Sequence, residues 1–408
     1  MGRTSAGPSR LFAFLALLGA IWGGSLLLDR SRRPQPPRPG GPADPRPPVL
    51  LALDRFTGVR SAGLGVRGRY RLLDDDGIEL FTGDDFRGEL ELDEAGLRLG
   101  SWRIRRDRCW IVPDGDQALE LEGSRYAGRL RCEVDRTDRG LADSFSLLLE
   151  LPLEDYVLGV VCGELPTRAA GAGEALRAQA VAARTFALWN LRRGRRTLRD
   201  TASDQRFRGL DWVTDEARRA VEDTRGLVLV WEGDLLPAWF HADCGGGTSD
   251  AAAVGFARKK LPPLAGVPDP ECAATPPWRR IVPADVLDRL AVHDGLGRSL
   301  EKIVPQRRDP ASGRLLEAVL VGEEASLPYR GEDLRRALSL PSMVLLSLQP
   351  RPDGSLVVTG RGRGHGVGLC QEGALRRSRA GVGWAEILAH DYPGARIVSL
   401  AELDRGHP

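Results

Sequence analysis

Residues 174–190 read EALRAQAVAARTFALWN, an alanine-rich stretch with neither glycine nor proline. Such a composition predicts a helix. Its apolar side chains recur nearly all round rather than along one stripe, which predicts burial on more than one side. Gln179 and Arg184 then stand as polar groups inside a buried element. Burial without a partner would cost each of them about 1–3 kcal/mol, so both must hydrogen-bond. The partners are either backbone carbonyls, a purely structural role, or the walls of a substrate cleft.

Working outward, the character of the chain changes on either side of this helix. Upstream, residues 49–151 are rich in short alternating segments (69–73, 97–104, 109–112, 118–122 and 129–134) separated by Asp-Gly, Thr-Gly and Asp-rich turns. They read as a β-rich module. Downstream, 215–223 reads as a helix and 227–231, 235–241 and 355–359 as strands. Further helices are expected at 371–378 and 383–390. Residues 260–345 mix turn and apolar signals without a clear period. The expected class is α+β, a β-rich module (49–151) joined to a mixed α/β core (152–400).

The chain has 408 residues, 42% of them hydrophobic and 28% charged, enough for a sizeable core and close to the globular average. Lys+Arg number 58 and Asp+Glu 56, a net charge of +2, without the clustered basic excess that phosphate contacts require. No nucleic-acid partner is expected. Lysine occurs only at Lys259, Lys260 and Lys302, and the arginines are scattered and mostly neighbour acids. That pattern reads as coding bias rather than phosphate recognition.

The first thirty residues carry an uncharged apolar run from Leu11 to Leu28, flanked by Arg3 and Arg10 and by Arg30, Arg32 and Arg33. Eighteen residues at about 1.5 Å each nearly span an apolar layer of about 30 Å. A cleaved signal peptide would have a shorter apolar core and a small-residue cleavage site. An uncleaved membrane anchor fits somewhat better, and either reading puts the remainder outside the cytoplasm. Residues 31–48 hold eight prolines, a composition that favours an extended polyproline spacer of about 3.1 Å per residue.

Three constellations could carry chemistry. In LEDYVLGVVCGELP (153–166), Glu164 follows an apolar run and precedes Leu165-Pro166. An apolar setting disfavours the charged carboxylate and raises its pKa, as a general acid requires. The plainer reading is a helix-terminal glutamate beside a proline turn. In GRGRGHGVGLCQ (360–371) the alternating glycines satisfy neither GxGxxG nor a P-loop. They do allow close approach of another chain, with His365 and Gln371 projecting. In FHADCG (240–245), His241 and Cys244 together with Cys272 could hold zinc, but an oxidising compartment makes Cys244–Cys272 more simply a disulfide. Cys109–Cys132 reads as a second pair, and Cys162–Cys370 as a third that would staple Glu164 to the glycine loop. If free, Cys162 or Cys370 could instead be a nucleophile with His365. Spacing alone leaves fifteen pairings open.

Taken together, LEDYVLGVVCGELP, EALRAQAVAARTFA (174–187) and GRGRGHGVGLCQEGA (360–374) resemble the SpoIID/LytB family of cell-wall proteins. QRFRG (205–209), FHADCGGGT (240–248) and AEILAHDYPGA (385–395) add to the likeness, which spans roughly 49–397 in matching order and spacing. The resemblance implies a lytic transglycosylase that cleaves the MurNAc–GlcNAc bond of peptidoglycan strands stripped of stem peptides. It puts the catalytic glutamate on Glu164 and suggests Gln179, Arg184, Gln205, His241, His365 and Gln371 as substrate-binding residues. Glu154 and Asp155 receive no chemical role. The alternative from the LytB branch is a glycan-binding protein or amidase activator, with a wall hydrolase as partner. Some members bind zinc through His and Cys just before the QxY motif. Here that stretch is Thr201-Ala202-Ser203-Asp204, so no metal and no other cofactor is expected, and the motif's tyrosine is Phe207.

Overall fold

The computed structural model describes residues 48–405 apart from Ala95 and Asp116. The apolar segment 1–30 and nearly all of the Pro-rich linker lie outside the described residues. Among those described, no helix is long and apolar enough to cross a membrane.

Among the described residues, ten strands of the β-rich segment and one from further along the chain build an 11-stranded sheet. Its centre is a long hairpin, Ser61–Leu73 with Glu79–Asp93, in which Leu64, Val66, Tyr70 and Leu72 alternate inward. Register slips between Val66 and Arg69, where Gly68 takes a positive φ of 69°. Strands Arg108–Pro113, Arg129–Arg136 and Ala142–Leu151 extend the sheet on one side of this hairpin. The expected strand at 97–104 is itself a hairpin, Gly96–Leu99 and Trp102–Ile104, because Gly100 reverses the chain at a φ of 57°. The far edge closes with Val49–Ala52 between Ala142–Leu151 and Thr197–Arg199, the last running parallel to it. A strand from beyond the long helix therefore completes the sheet, and both segments share one hydrophobic core.

Helix α1 (Leu153–Glu164) leaves the sheet directly, and α2 (Gly173–Arg192) contains the predicted 174–190. As the all-round apolar pattern requires, α2 is packed against α1, α3 (Asp215–Asp223) and strand Leu227–Trp231. Its alanines at 175, 178, 180, 182, 183 and 187 are fully buried, short enough to let neighbouring elements approach closely. The expected strand 235–241 is broken at Pro237, which can donate no ladder hydrogen bond. Asp234–Leu235 pairs back onto Val230–Trp231, and Phe240–His241 pairs in parallel with Leu369–Cys370.

The segment with no clear period forms a second apolar core. After the short α4 (Ala251–Val254) come α5 (Ala284–His293), α6 (Gly331–Ala337) and two three-stranded sheets, Trp278–Val282 with Leu356–Arg361 and Val344–Pro350, and Leu300–Arg308 with Leu315–Gly322 and Ser326–Arg330. From there the glycine loop leads into α7 (Gln371–Arg379) and α8 (Trp384–Asp391), both packed on α2. The mixture of helices and sheets agrees with an α+β class.

Candidate active site

Glu164 is the last residue of α1, which stops where Leu165 turns extended ahead of Pro166. Two glycines one turn apart, Gly159 and Gly163, lie on the same face of that helix. A Cβ on Gly159 would stand 2.1 Å from the Phe207 ring, and one on Gly163 would stand 2.3 Å from the Arg206 carbonyl oxygen. Their bare backbone is what lets the QRFRG segment (205–209) lie directly on the helix. There the Arg208 N–H donates to the Gly159 carbonyl at 3.0 Å, and the Arg206 N–H donates to Glu164 Oε1 at 2.6 Å. Phe207 lies between Tyr126 and Tyr156, nearly parallel to both, with centroids 6.5 and 6.0 Å away.

The other oxygen of Glu164 meets α7. Gln371, first residue of that helix, donates its amide to Glu164 Oε2 at 3.2 Å and to Gln179 Oε1 at 3.3 Å. Sites from α1, α2 and α7 thus converge on one carboxyl. Burial raises its pKa, and the N–H of Arg206, the amide of Gln371 and the charge of Arg206 partly offset the rise. The carboxyl opens on a groove of about 700 Å³ whose walls include Thr167, Arg168, Arg208, Asp211 and Trp212. Asp211 also lines a second groove of about 900 Å³ that runs over the sheet past Val66, Arg67, Phe86 and Arg87. The Leu210–Trp212 turn between them is fixed by Arg125, whose N–H and Nε donate to Asp211 at 2.8 and 2.7 Å. Trp212 is 55% exposed, with the Arg208 guanidinium 3.7 Å above its ring.

The other predicted site residues sit elsewhere. Arg184 lies five positions beyond Gln179, about 140° around α2, and so faces away from Glu164. It is fully buried, grips Glu154 at 2.9 and 2.5 Å, and donates to the Leu227 carbonyl at 3.1 Å. Gln205 is equally enclosed, accepting from Tyr156 Oη and donating to the Ala183 carbonyl, both at 3.3 Å. These two tie elements together rather than face the groove. His365 accepts from the Val367 N–H at Nδ1 (3.1 Å), which places its proton on Nε2, bonded to the Phe240 carbonyl at 2.8 Å. Burial and the neighbouring His241 and Arg314 hold it well below the usual histidine range, so it is a neutral strut of the glycine loop. His241 donates from Nδ1 to the Val367 carbonyl at 3.2 Å, and its Nε2 is buried without a hydrogen-bond partner.

The three expected disulfides are not formed; all six cysteines are free and buried. Cys109 and Cys132 stand opposite one another on neighbouring strands as hydrogen-bonded thiols. Cys162 faces α3, near Thr214 and Arg218, rather than Cys370, because α1 turns that side away from the glycine loop. Burial pushes its thiol up to about 11, which disfavours the nucleophilic thiolate at Cys162. Cys244, Cys272 and Cys370 instead make a buried group of three, so no pairing among them can be complete. The family's zinc position does not fit this chain either. Thr201 donates to Asp54 Oδ2 and Asp204 takes both amino groups of Arg195 at 2.5 Å, leaving no thiol or imidazole in that stretch.

Sequence reading missed the Arg206 N–H and the Arg208–Trp212 wall. The signal for the wall was the run RGLDW directly after the QxY-like motif; a backbone donor leaves no residue-type signal.

Comparison with known proteins gives this arrangement its relatives. A family model described as SpoIID, Stage II sporulation protein, matches residues 142–231, which include Glu164, α1 and α2. An uncharacterized protein of Brachyspira hyodysenteriae is 30% identical over 302 residues, 72% of this chain and 78% of that protein. The chain belongs to the SpoIID family. Within it, Stage II sporulation protein D of Bacillus amyloliquefaciens is 29% identical over 276 residues, 62% of this chain and 75% of that one. An amidase enhancer of Bacillus subtilis is 24% identical over 372 residues, 79% of this chain and 51% of its own length. SpoIID proteins are cell-wall associated, and a cell-wall-related role follows for this chain.

Proposed function

We propose that this SpoIID protein is a lytic transglycosylase of peptidoglycan glycan strands, with Glu164 as general acid and then base. The supporting observation is a carboxyl with a raised pKa on a groove wall, held by one N–H on each oxygen. Protonated Glu164 gives its proton to the oxygen linking MurNAc C1 to GlcNAc, and that bond breaks. The resulting carboxylate takes the proton of the MurNAc 6-hydroxyl as its oxygen bonds to C1, leaving a 1,6-anhydro end and regenerating the acid. One carboxyl suffices because the nucleophile is the sugar's own hydroxyl, whereas ordinary glycosidases need two. The Arg206 N–H and the Gln371 amide favour the carboxylate at the moment it forms.

Trp212 and the two adjoining grooves offer an extended track with an exposed aromatic face for a sugar chain. This activity calls for an extracytoplasmic protein, with segment 1–30 as its export signal or anchor. The likeness to an amidase enhancer favours a second reading, in which the same groove binds glycan and a wall amidase is the partner. The test is mass spectrometry of peptide-free wall glycan incubated with the full chain. Anhydro ends that vanish in Glu164→Gln support the enzyme; unchanged turnover in that variant refutes it. Amidase stimulation surviving the substitution, with no anhydro product from the wild type, would favour the second reading.

A further inference from the structure

We propose that Asp243, Cys244, Cys272 and Cys370 form a closed tetrahedral site for one zinc-class divalent ion, independent of what Glu164 does. The three thiols are completely buried and form a cluster of their own, with Cys244 Sγ donating to the buried Asp269 carboxylate at 3.6 Å, and one ligand atom from each of the four residues lies within 4.8 Å of every other. Cys272 and Cys370 hold their sulfurs 3.7 Å apart. A covalent bond would need about 2.05 Å. Two thiolates on one tetrahedral ion at about 2.3 Å each would be about 3.8 Å apart.

Backbone donors already reach one of the three sulfurs. The Cys370 sulfur accepts from the Cys244 N–H at 3.2 Å and, as the cap of α7, from the Gly373 N–H at 3.3 Å. Such donors only partly oppose the burial that disfavours an ionised Cys370 sulfur, so a bound cation would supply the remaining stabilisation of the thiolate. A second observation points to a ligand. His241, three residues before Cys244, has its ring fixed by the Val367 carbonyl, and its buried Nε2 makes no hydrogen bond of ordinary geometry. Soft sulfur donors in tetrahedral array select zinc over magnesium or calcium. With all four positions supplied by the protein, the ion would be structural, leaving none for water.

The site would join three segments far apart in sequence: the end of the Phe240–His241 strand, the 270–274 turn and the start of α7. Cys370 immediately precedes Gln371, so the ion would also fix the amide that meets Glu164.

The test uses the full chain, reduced and stripped of metal, titrated with cobalt(II) and followed by sulfur-to-cobalt charge-transfer absorption. The expected result is one tetrahedral equivalent, displaced stoichiometrically by zinc. Cys370→Ser and Cys272→Ser should each weaken binding by more than the roughly 10–100-fold that loss of an outer-shell partner costs. Cys162→Ser should bind as the wild type does. Absence of cobalt charge transfer in the wild type would overturn the proposal. So would a disulfide between any two of the three cysteines in protein isolated without reductant, a result that does not depend on any variant folding.

Discussion

Gln371 donates its side-chain amide to Glu164 Oε2 at 3.2 Å across 207 positions of sequence, so the groove's acid is held by the first residue of α7. The bond favours the carboxylate and works against the burial that raises the pKa of Glu164. Removing it by Gln371→Ala leaves burial less opposed and should raise that pKa further. Transglycosylation needs the protonated acid, so its alkaline limb should move to higher pH in Gln371→Ala. A pH profile of anhydro-end formation checks this; a limb that moves to lower pH would contradict the assignment.

The same carboxyl predicts a pH dependence of stability. A folded-state pKa raised above the unfolded value of about 4.3 means that the native state binds more protons between the two values. Stability contributed by Glu164 is therefore fully present below pH 4.3 and is lost as pH rises through the raised pKa. Glu164→Gln removes that loss. Relative to the wild type, the variant should gain stability in denaturant melts at pH 8 over its standing at pH 4. An equal difference at both pH values would count against a perturbed carboxyl.

Gly163 should tolerate no side chain. A Cβ there would lie 2.3 Å from the Arg206 carbonyl oxygen, a backbone atom with no rotamer to escape into. Gly163→Ala should cost about 1–3 kcal/mol of stability by overpacking and displace the Arg206 N–H from Glu164. Turnover should fall with it. Gly173→Ala is the matched control. Its Cβ would make only an ordinary 3.5 Å contact with Arg177 at the first position of α2, where Gly→Ala stabilises by about 0.4–1 kcal/mol through the lower entropy of the unfolded chain. Urea melts of the two variants should shift in opposite directions.

The helical half of this chain was legible because its signals are local. Ala175 to Leu188 carry the helix in composition, and 215–223 shows its helical character without any reading of its cap, which the structure supplies at Thr214 through a bond from the Ala217 N–H. The Ser61–Leu73 and Glu79–Asp93 strands were only partly readable, because Gly63, Gly65, Gly68, Gly83 and Gly88 resemble turns in sequence. In the sheet these glycines clear space for Glu122, Glu120, Gln117, Tyr70 and Phe86 respectively. Glu164 and Gln371 could be singled out from motif residues. Arg184 could not be placed, since burial demanded a partner but nothing in one sequence says whether that partner is Glu154 or a ligand. The cysteines misled for a related reason: spacing along a chain does not report which face of α1 carries Cys162.

Trp212 should act in binding rather than in the chemical step. Its ring is exposed on the groove wall with Arg208 above it, and it touches no group that moves a proton to the sugar. Trp212→Ala should raise KM for peptide-free glycan by about 5–10-fold and leave kcat within about twofold, the pattern of lost uniform binding. A fall in kcat at unchanged KM would place Trp212 in the transition state instead.

Arg184 and Glu154 separate a structural pair from a substrate contact. Both are buried, and the guanidinium is engaged by Glu154 and by the carbonyl of Leu227. Arg184→Met leaves an unpaired carboxylate in the core, a loss of about 3–5 kcal/mol for a buried pair broken on one side. Adding Glu154→Leu removes the stranded charge, and the double variant should recover most of that stability. The folded double variant should retain the wild-type KM for glycan, because neither residue faces the groove. Stability recovered with a KM raised tenfold would return Arg184 to the substrate site.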